Sequence, residues 1–274
     1  MVIQKISNEG VSTPIIARLR MGLMTFRDKL PPESINIEAY DKALDLTLTN
    51  LMSARTAVSL IKQLLEDYEK DIREGKIVKV EGKMINISQP IDDALGQAVE
   101  RFINNCGRAF KTGMQRLIAT LGGDIGFLYQ KDSAFETGLA NLMLSDPSLA
   151  SYLKSCRLSW AEILSDLRNS LEHDDRILQR VGHDLRSRNV VVLEPELKGR
   201  PVRELVDFIF DRLAKFVEEV TVHSLQRKMM YGFIFEEIPL SDRDAKSASR
   251  FKPGISRDNI GWNIEYSSKR FDES

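Results

Sequence analysis

Cysteine is almost missing from this chain of 274 residues, which carries only Cys106 and Cys156. Neither has a Cys-x-x-Cys partner, so zinc-knuckle, redox-pair and disulfide-framework readings fall away, and both read as small buried apolar residues. Histidine is nearly as scarce, with His173, His183 and His223 alone. No two stand at the spacing of metal ligands, so neither a metal site nor a cofactor is expected. Long apolar runs are lacking too. Nothing approaches a membrane span, and Met1-Val-Ile-Gln-Lys-Ile6 is too short an apolar core for a signal peptide. The chain reads as cytoplasmic, with no membrane partner. Charge of one sign is also absent: 39 Lys and Arg against 40 Asp and Glu leave a net charge of -1. Broad electrostatic binding of nucleic acid needs many cations set against phosphates, so any RNA surface here must be local. No repeat appears, and Gly122-Gly-Asp-Ile-Gly126 is too short and too helix-bound to be a nucleotide loop.

What remains is a mainly α chain. Ile15, Ile16, Leu19, Leu23 and Phe26 predict a helix from Pro14 to Leu30, stopped by Pro31-Pro32. From Ile35 to about Arg73, apolar residues recur at helical spacings from Ile37 and Tyr40 through Tyr68 and Ile72. At ~1.5 Å per residue this helix extends over roughly fifty ångströms, long enough to project or to pair with a second chain, while packing within the chain accounts for most of its apolar stripe. Residues Ile77 to Ile87 alternate around Glu81-Gly82-Lys83, as in a β-hairpin. Pro90 opens a helix to about Leu121 that Gly122-Gly123 ends. A short helix follows Asp146-Pro147, another starts near Trp160, and a third follows Pro201. After Met230 the segments Phe233–Ile238 and Trp262–Tyr266 look like short strands able to pair with each other. The division that results is a helical domain over 1–232 and a strand-bearing extension over 233–274.

The chemistry concentrates in Arg168-Asn169-Ser170-Leu171-Glu172-His173. Histidine titrates nearest neutrality and arginine presents a planar fork matched to phosphate oxygens. With Arg168 at zero on a helical wheel, Glu172 falls at about 40°, Arg176 at about 80°, Asn169 at about 100° and His173 at about 140°. Trp160, Ile163, Leu164, Leu167, Leu171, Ile177, Leu178 and Val181 occupy the opposite arc, which predicts a buried apolar face and an open polar one. Ser159 and Glu162 fit a capping box at the helix start. Asp174, on the apolar arc, implies that the helix distorts or ends soon after His173. Beyond it a basic run, Arg176, Arg180, Arg186, Arg188, Arg200 and Arg203, offers a local RNA surface, with Arg176 and Arg180 nearest the motif. The plainer reading pairs Arg168 with Glu172 on a solvated helix face.

Asp166-Leu-Arg-Asn-Ser-Leu-Glu-His173, set late in a helical chain, resembles the signature of HEPN domains. The long helix, the hairpin at Lys76–Ser88, Gly122-Gly-Asp-Ile-Gly-Phe-Leu128, Ser133-Ala-Phe-Glu-Thr-Gly138, Asp211–Glu218 and Ile260–Tyr266 extend the likeness to an uncharacterised bacterial HEPN subfamily. The resemblance implies an antiparallel HEPN-like helical bundle with a long helix and an inserted hairpin. It further implies metal-independent RNA cleavage to a 2′,3′-cyclic phosphate in a toxin-antitoxin or defence setting, with an antitoxin or nucleotidyltransferase as partner. In that scheme His173 is the general base and Arg168 stabilises the attacked phosphate, while Asn169 and Glu172 orient them. The site is then shared by a homodimer whose motif helices face each other. Asp175 stands where some toxin members carry a tyrosine that their antitoxin modifies, so control by that modification is not expected. The competing function is a non-catalytic RNA-binding or dimeric interaction module using the same face.

Overall fold

The computed structural model describes residues 15–81, 84–173, 177–186, 189–243 and 250–270. It is mainly helical with small antiparallel sheets. In chain order the elements are α1 (Ile15–Arg27), α2 (Ile37–Arg73), β1 (Val78–Glu81), β2 (Met84–Ile87), α3 (Asp92–Gly107), α4 (Met114–Thr120), α5 (Asp132–Ser145), α6 (Pro147–Cys156), α7 (Glu162–His173), β3 (Gly182–Arg186), β4 (Asn189–Leu193), β5 (Glu196–Leu197), β6 (Arg200–Pro201), α8 (Val202–Gln226), β7 (Phe233–Glu237) and β8 (Phe251–Ile255). Contacts divide the chain into two compact units. One comprises Met1–Leu51, Arg108–Ala161 and Asp211–Ser274, the other Met52–Gly107 and Glu162–Phe210. Among the described residues no helix is long and apolar enough to cross a membrane.

Several expectations hold closely. The long helix runs unbroken through α2, with the Asn36 side chain accepting from the Ala39 N–H at its start. The hairpin pairs β1 with β2, its turn lying outside the described residues. Gly122, at φ 74°, closes α4 as a left-handed cap, its N–H donating to Ala119 O while Gly123 N donates to Ile118 O. That conformation favours glycine because no Cβ opposes it.

Other expectations are corrected. Ser159 caps nothing: it lies in a π-helical turn, Arg157–Ala161, that joins α6 to α7, and its hydroxyl donates back to Ser155 O at 2.7 Å. A serine bonded to the carbonyl four residues behind is a mid-helix serine. A second π turn, Arg108–Gly113, interrupts the helix expected as one piece from Pro90 to Leu121. β7 pairs with β8 and not with Trp262–Tyr266, which forms no strand. Trp262 contributes one backbone bond, its N–H donating to Phe235 O. Helix α5 and the hairpin β3–β4 were not anticipated.

The unit containing Asp211–Ser274 has two aromatic clusters. Phe110, Trp160 and Phe216 meet with ring centroids 4.8, 5.2 and 5.7 Å apart, and Phe26 packs at a tilt against Phe235 at 4.6 Å. In this unit α8 is buried at every residue from Arg212 to His223, four of them charged. Each of the four has a partner in the last part of the chain. Arg250 donates to Glu237 at 2.9 Å and pairs with Glu219 at 2.8 Å and Glu218 at 3.4 Å. Arg212 donates to the carbonyls of Ser267, Ser268 and Lys269, and Lys215 to that of Lys269. Tyr152 donates to Glu219 at 2.7 Å. In the second unit, Arg203 of α8 reaches Glu194, in the link after β4, at 2.7 Å and Glu69 of α2 at 2.6 Å, and Tyr68 O–H meets His183 Nε2 at 2.8 Å.

Glu218 gives the first unit a pH dependence. Burial pushes its carboxyl up to about 7 from 4.5, against the lowering pull of Arg250. An acid whose folded pKa is raised contributes no penalty below its unfolded pKa, so stability from this group is lost as pH rises from about 4.5 through about 7. Glu218→Gln is therefore expected to flatten the fall in urea midpoint between pH 5 and pH 8. Parallel pH profiles for wild type and variant would show that Glu218 is not its source.

Candidate functional site

Helix α7 belongs to the unit formed by Met52–Gly107 and Glu162–Phe210, where it packs on α3. Leu164 and Leu167 are its buried face, each 1% exposed. The chain runs antiparallel to α3: Arg168 lies beside Gly107 at one end of α3, and Asp92 at the other accepts from the Val181 N–H at 2.9 Å. The polar arc drawn from the sequence is therefore open. Arg168 is 41% exposed and Glu172 61%, while Asn169 and His173 are exposed. His173 is the last described residue of α7.

The four motif residues share one helix but form no closed hydrogen-bonded constellation among the described residues. Arg168 Nη2 stands 3.7 Å from Glu172 Oε1, an i, i+4 ion pair too long for a hydrogen bond. Such a pair between half-exposed groups is worth roughly 0.3–0.5 kcal/mol. Glu172 is thus a weak holder of Arg168. Gly107 lies under the Arg168 stem, where a Cβ would stand 3.2 Å from Arg168 Cδ. Sequence reasoning missed this glycine, since α3 and the motif are joined only by the fold.

The basic run is less available than its count suggests. Arg203 is committed to Glu69 and Glu194, and Arg200 lies over the Phe208 ring, 5.2 Å from its centroid. Arg180 is exposed; Arg176 and Arg188 lie outside the described residues, and Arg186 is placed on β3 by its backbone. Beyond His173, a cavity of about 250 Å³ is bordered by Asp92, Asp93 and Glu100 together with Leu178. Its acidic walls oppose phosphate. An RNA backbone would be favoured at Arg168 and disfavoured at the α3 acids, and Arg180 stands at the acidic end, between Gln179 of the cavity lining and Val181 on Asp92.

The best-formed acid–base pair lies in the other unit. Asp146 Oδ2 accepts from His223 Nε2 at 2.7 Å and pairs with Arg227, while Oδ1 accepts from Leu149 N and Ser148 Oγ, capping α6. Burial raises the Asp146 carboxyl, but the bond and charge of His223 and the capping donors outweigh it and hold the group well below the carboxylate range. With both oxygens occupied and His223 only 7% exposed, this is an anchor between α6 and the last turn of α8. Among the described residues no group of three His, Cys, Asp or Glu could hold a metal ion. Burial pushes the thiols of Cys106 and Cys156 well up, away from nucleophilic use.

Comparison with protein-family models, curated proteins and solved structures finds no match. The site is therefore read from its own residues. Glu172→Gln should change unfolding free energy by no more than about 0.5 kcal/mol in urea titrations; a loss several times larger would mean that the ion pair, and not the Gly107 contact, holds Arg168.

Proposed function

We propose that this chain is a metal-independent endoribonuclease with an Arg168/His173 site of the HEPN kind, cutting RNA to a 2′,3′-cyclic phosphate. The observation that supports it is the placement of the motif: a buried Leu164/Leu167 face fixes α7, and Arg168, Asn169 and His173 stand on the side open to a ligand. In this reading His173 takes the proton from the ribose 2′-hydroxyl, whose oxygen attacks the adjacent phosphorus. Arg168 meets the charge that builds on the non-bridging oxygens. The 5′ oxygen leaves with a proton from a second acid. The HEPN likeness implies that the motif helices of two copies face each other; His173 of the second copy then supplies that proton, and the functional unit is a homodimer through the motif helix. Asn169 orients His173 or the phosphate, and Arg180 and Arg176 extend the contact along the RNA backbone.

The HEPN likeness supplies the toxin-antitoxin or defence setting, with an antitoxin or nucleotidyltransferase beside it. The alternative is an RNA-binding or dimeric module without catalysis, and the acidic wall beyond His173 favours its dimeric, protein-binding form. The two part company in one experiment. Purified protein incubated with mixed RNA in EDTA is expected to yield cyclic-phosphate ends, and Arg168→Ala and His173→Ala should each lower kcat/KM by roughly 10²–10³. Cleavage unchanged by His173→Ala overturns the mechanism, and RNA retention without cleavage selects the binding module.

A further inference from the structure

We infer that Gly107 is the positioning residue for Arg168, providing the bare backbone on which the arginine stem lies and so setting where the guanidinium stands on the α7 face. A Cβ at position 107 would lie 3.2 Å from Arg168 Cδ and 3.9 Å from Arg168 Nε, and among the described residues no other atom outside its own helix neighbourhood comes within 4 Å. A contact of 3.2 Å is closer than a methyl carbon tolerates without displacement of its neighbour. Nothing else accounts for glycine there. The residue sits in the last turn of α3 with no left-handed φ, so its backbone suits any amino acid. A helix-interior glycine costs roughly 0.5–1 kcal/mol relative to alanine. Gly96, on the same helix, is the contrast: a Cβ there meets nothing within 4 Å.

The remaining restraint on Arg168 is the 3.7 Å approach to Glu172, too loose to fix a fork of donors. A Cβ at position 107 would press on the stem itself, from the side of α7 that faces α3. Placement of a transition-state donor by a few tenths of an ångström matters because misplacement of about 1 Å costs roughly a hundredfold in rate. The catalytic consequence rests on the ribonuclease reading, whereas the positioning does not.

The test uses the full chain in five forms: wild type, Gly107→Ala, Gly96→Ala, Arg168→Ala and Gly107→Ala with Arg168→Ala, the single Arg168→Ala variant assigning the Arg168 Nε–H resonance and serving as the reference for the double variant. Gly107→Ala should move that resonance while Gly96→Ala leaves it in place. In the Arg168→Ala background Gly107→Ala should raise the urea midpoint as Gly96→Ala does, and with Arg168 present it should raise it less or lower it. RNA cleavage by Gly107→Ala should fall in kcat by roughly three- to tenfold with KM unchanged. An unmoved resonance together with equal midpoint shifts in both backgrounds overturns the inference. If wild type cleaves no RNA, the ribonuclease reading falls alone, and resonance and midpoints still decide the role of Gly107.

Discussion

Arg250 is the interaction on which the larger unit depends. Glu218 and Glu219 are neighbours on α8, 6% and 2% exposed, and two adjacent carboxylates removed from water are unfavourable unless cations reach them. Arg250, itself 8% exposed, meets both and also Glu237 on β7. It stands directly before β8, so the pairing of β7 with β8 delivers the cation to the helix. The ribbon is therefore required by α8, and Phe235 and Phe251 bring it against Phe26 of α1 at ring distances of 4.6 and 6.5 Å. Removing the arginine would leave several buried charges uncompensated, a far larger loss than that of any surface pair.

The amphipathic helices were legible because their apolar residues fall on one face. The stripe from Tyr40 to Ile72 on α2 needs no tertiary information, nor does the Asp146-Pro147 start of α6. Helix α5 was not legible for the opposite reason. Only Phe135 and Leu139 are buried along it, and Leu144 is 89% exposed, so its apolar residues encircle the helix without marking a face. The strand β8 contains Pro253-Gly254, which argues against a strand in sequence; in the fold Gly254 allows the Glu236 side chain to lie across it, where a Cβ would stand 2.6 Å from a carboxylate oxygen. The hairpin β3–β4 has a polar first strand, His183-Asp-Leu-Arg186, whose pattern does not alternate.

The candidate site was legible in its identities and not in its supports. Arg168, Asn169, Glu172 and His173 were selected by residue chemistry and spacing, and the structure sets them on one open helix side. What the sequence concealed were the partners brought by folding: Gly107 under Arg168, the acids of α3 beyond His173, and the internal duties of Arg200 and Arg203. Side-chain chemistry can be read along one helix, but the companions of a side chain come from distant positions.

The C-terminal segment is held in an unusual currency. Arg212 and Lys215 bind the carbonyl oxygens of Ser267, Ser268 and Lys269, atoms that every amino acid possesses. The clasp thus reads the path of the chain and is blind to its letters. Substitutions at those three positions leave the recognised atoms intact, whereas the two cations on α8 have no such freedom, so mutational tolerance along this contact is strongly one-sided.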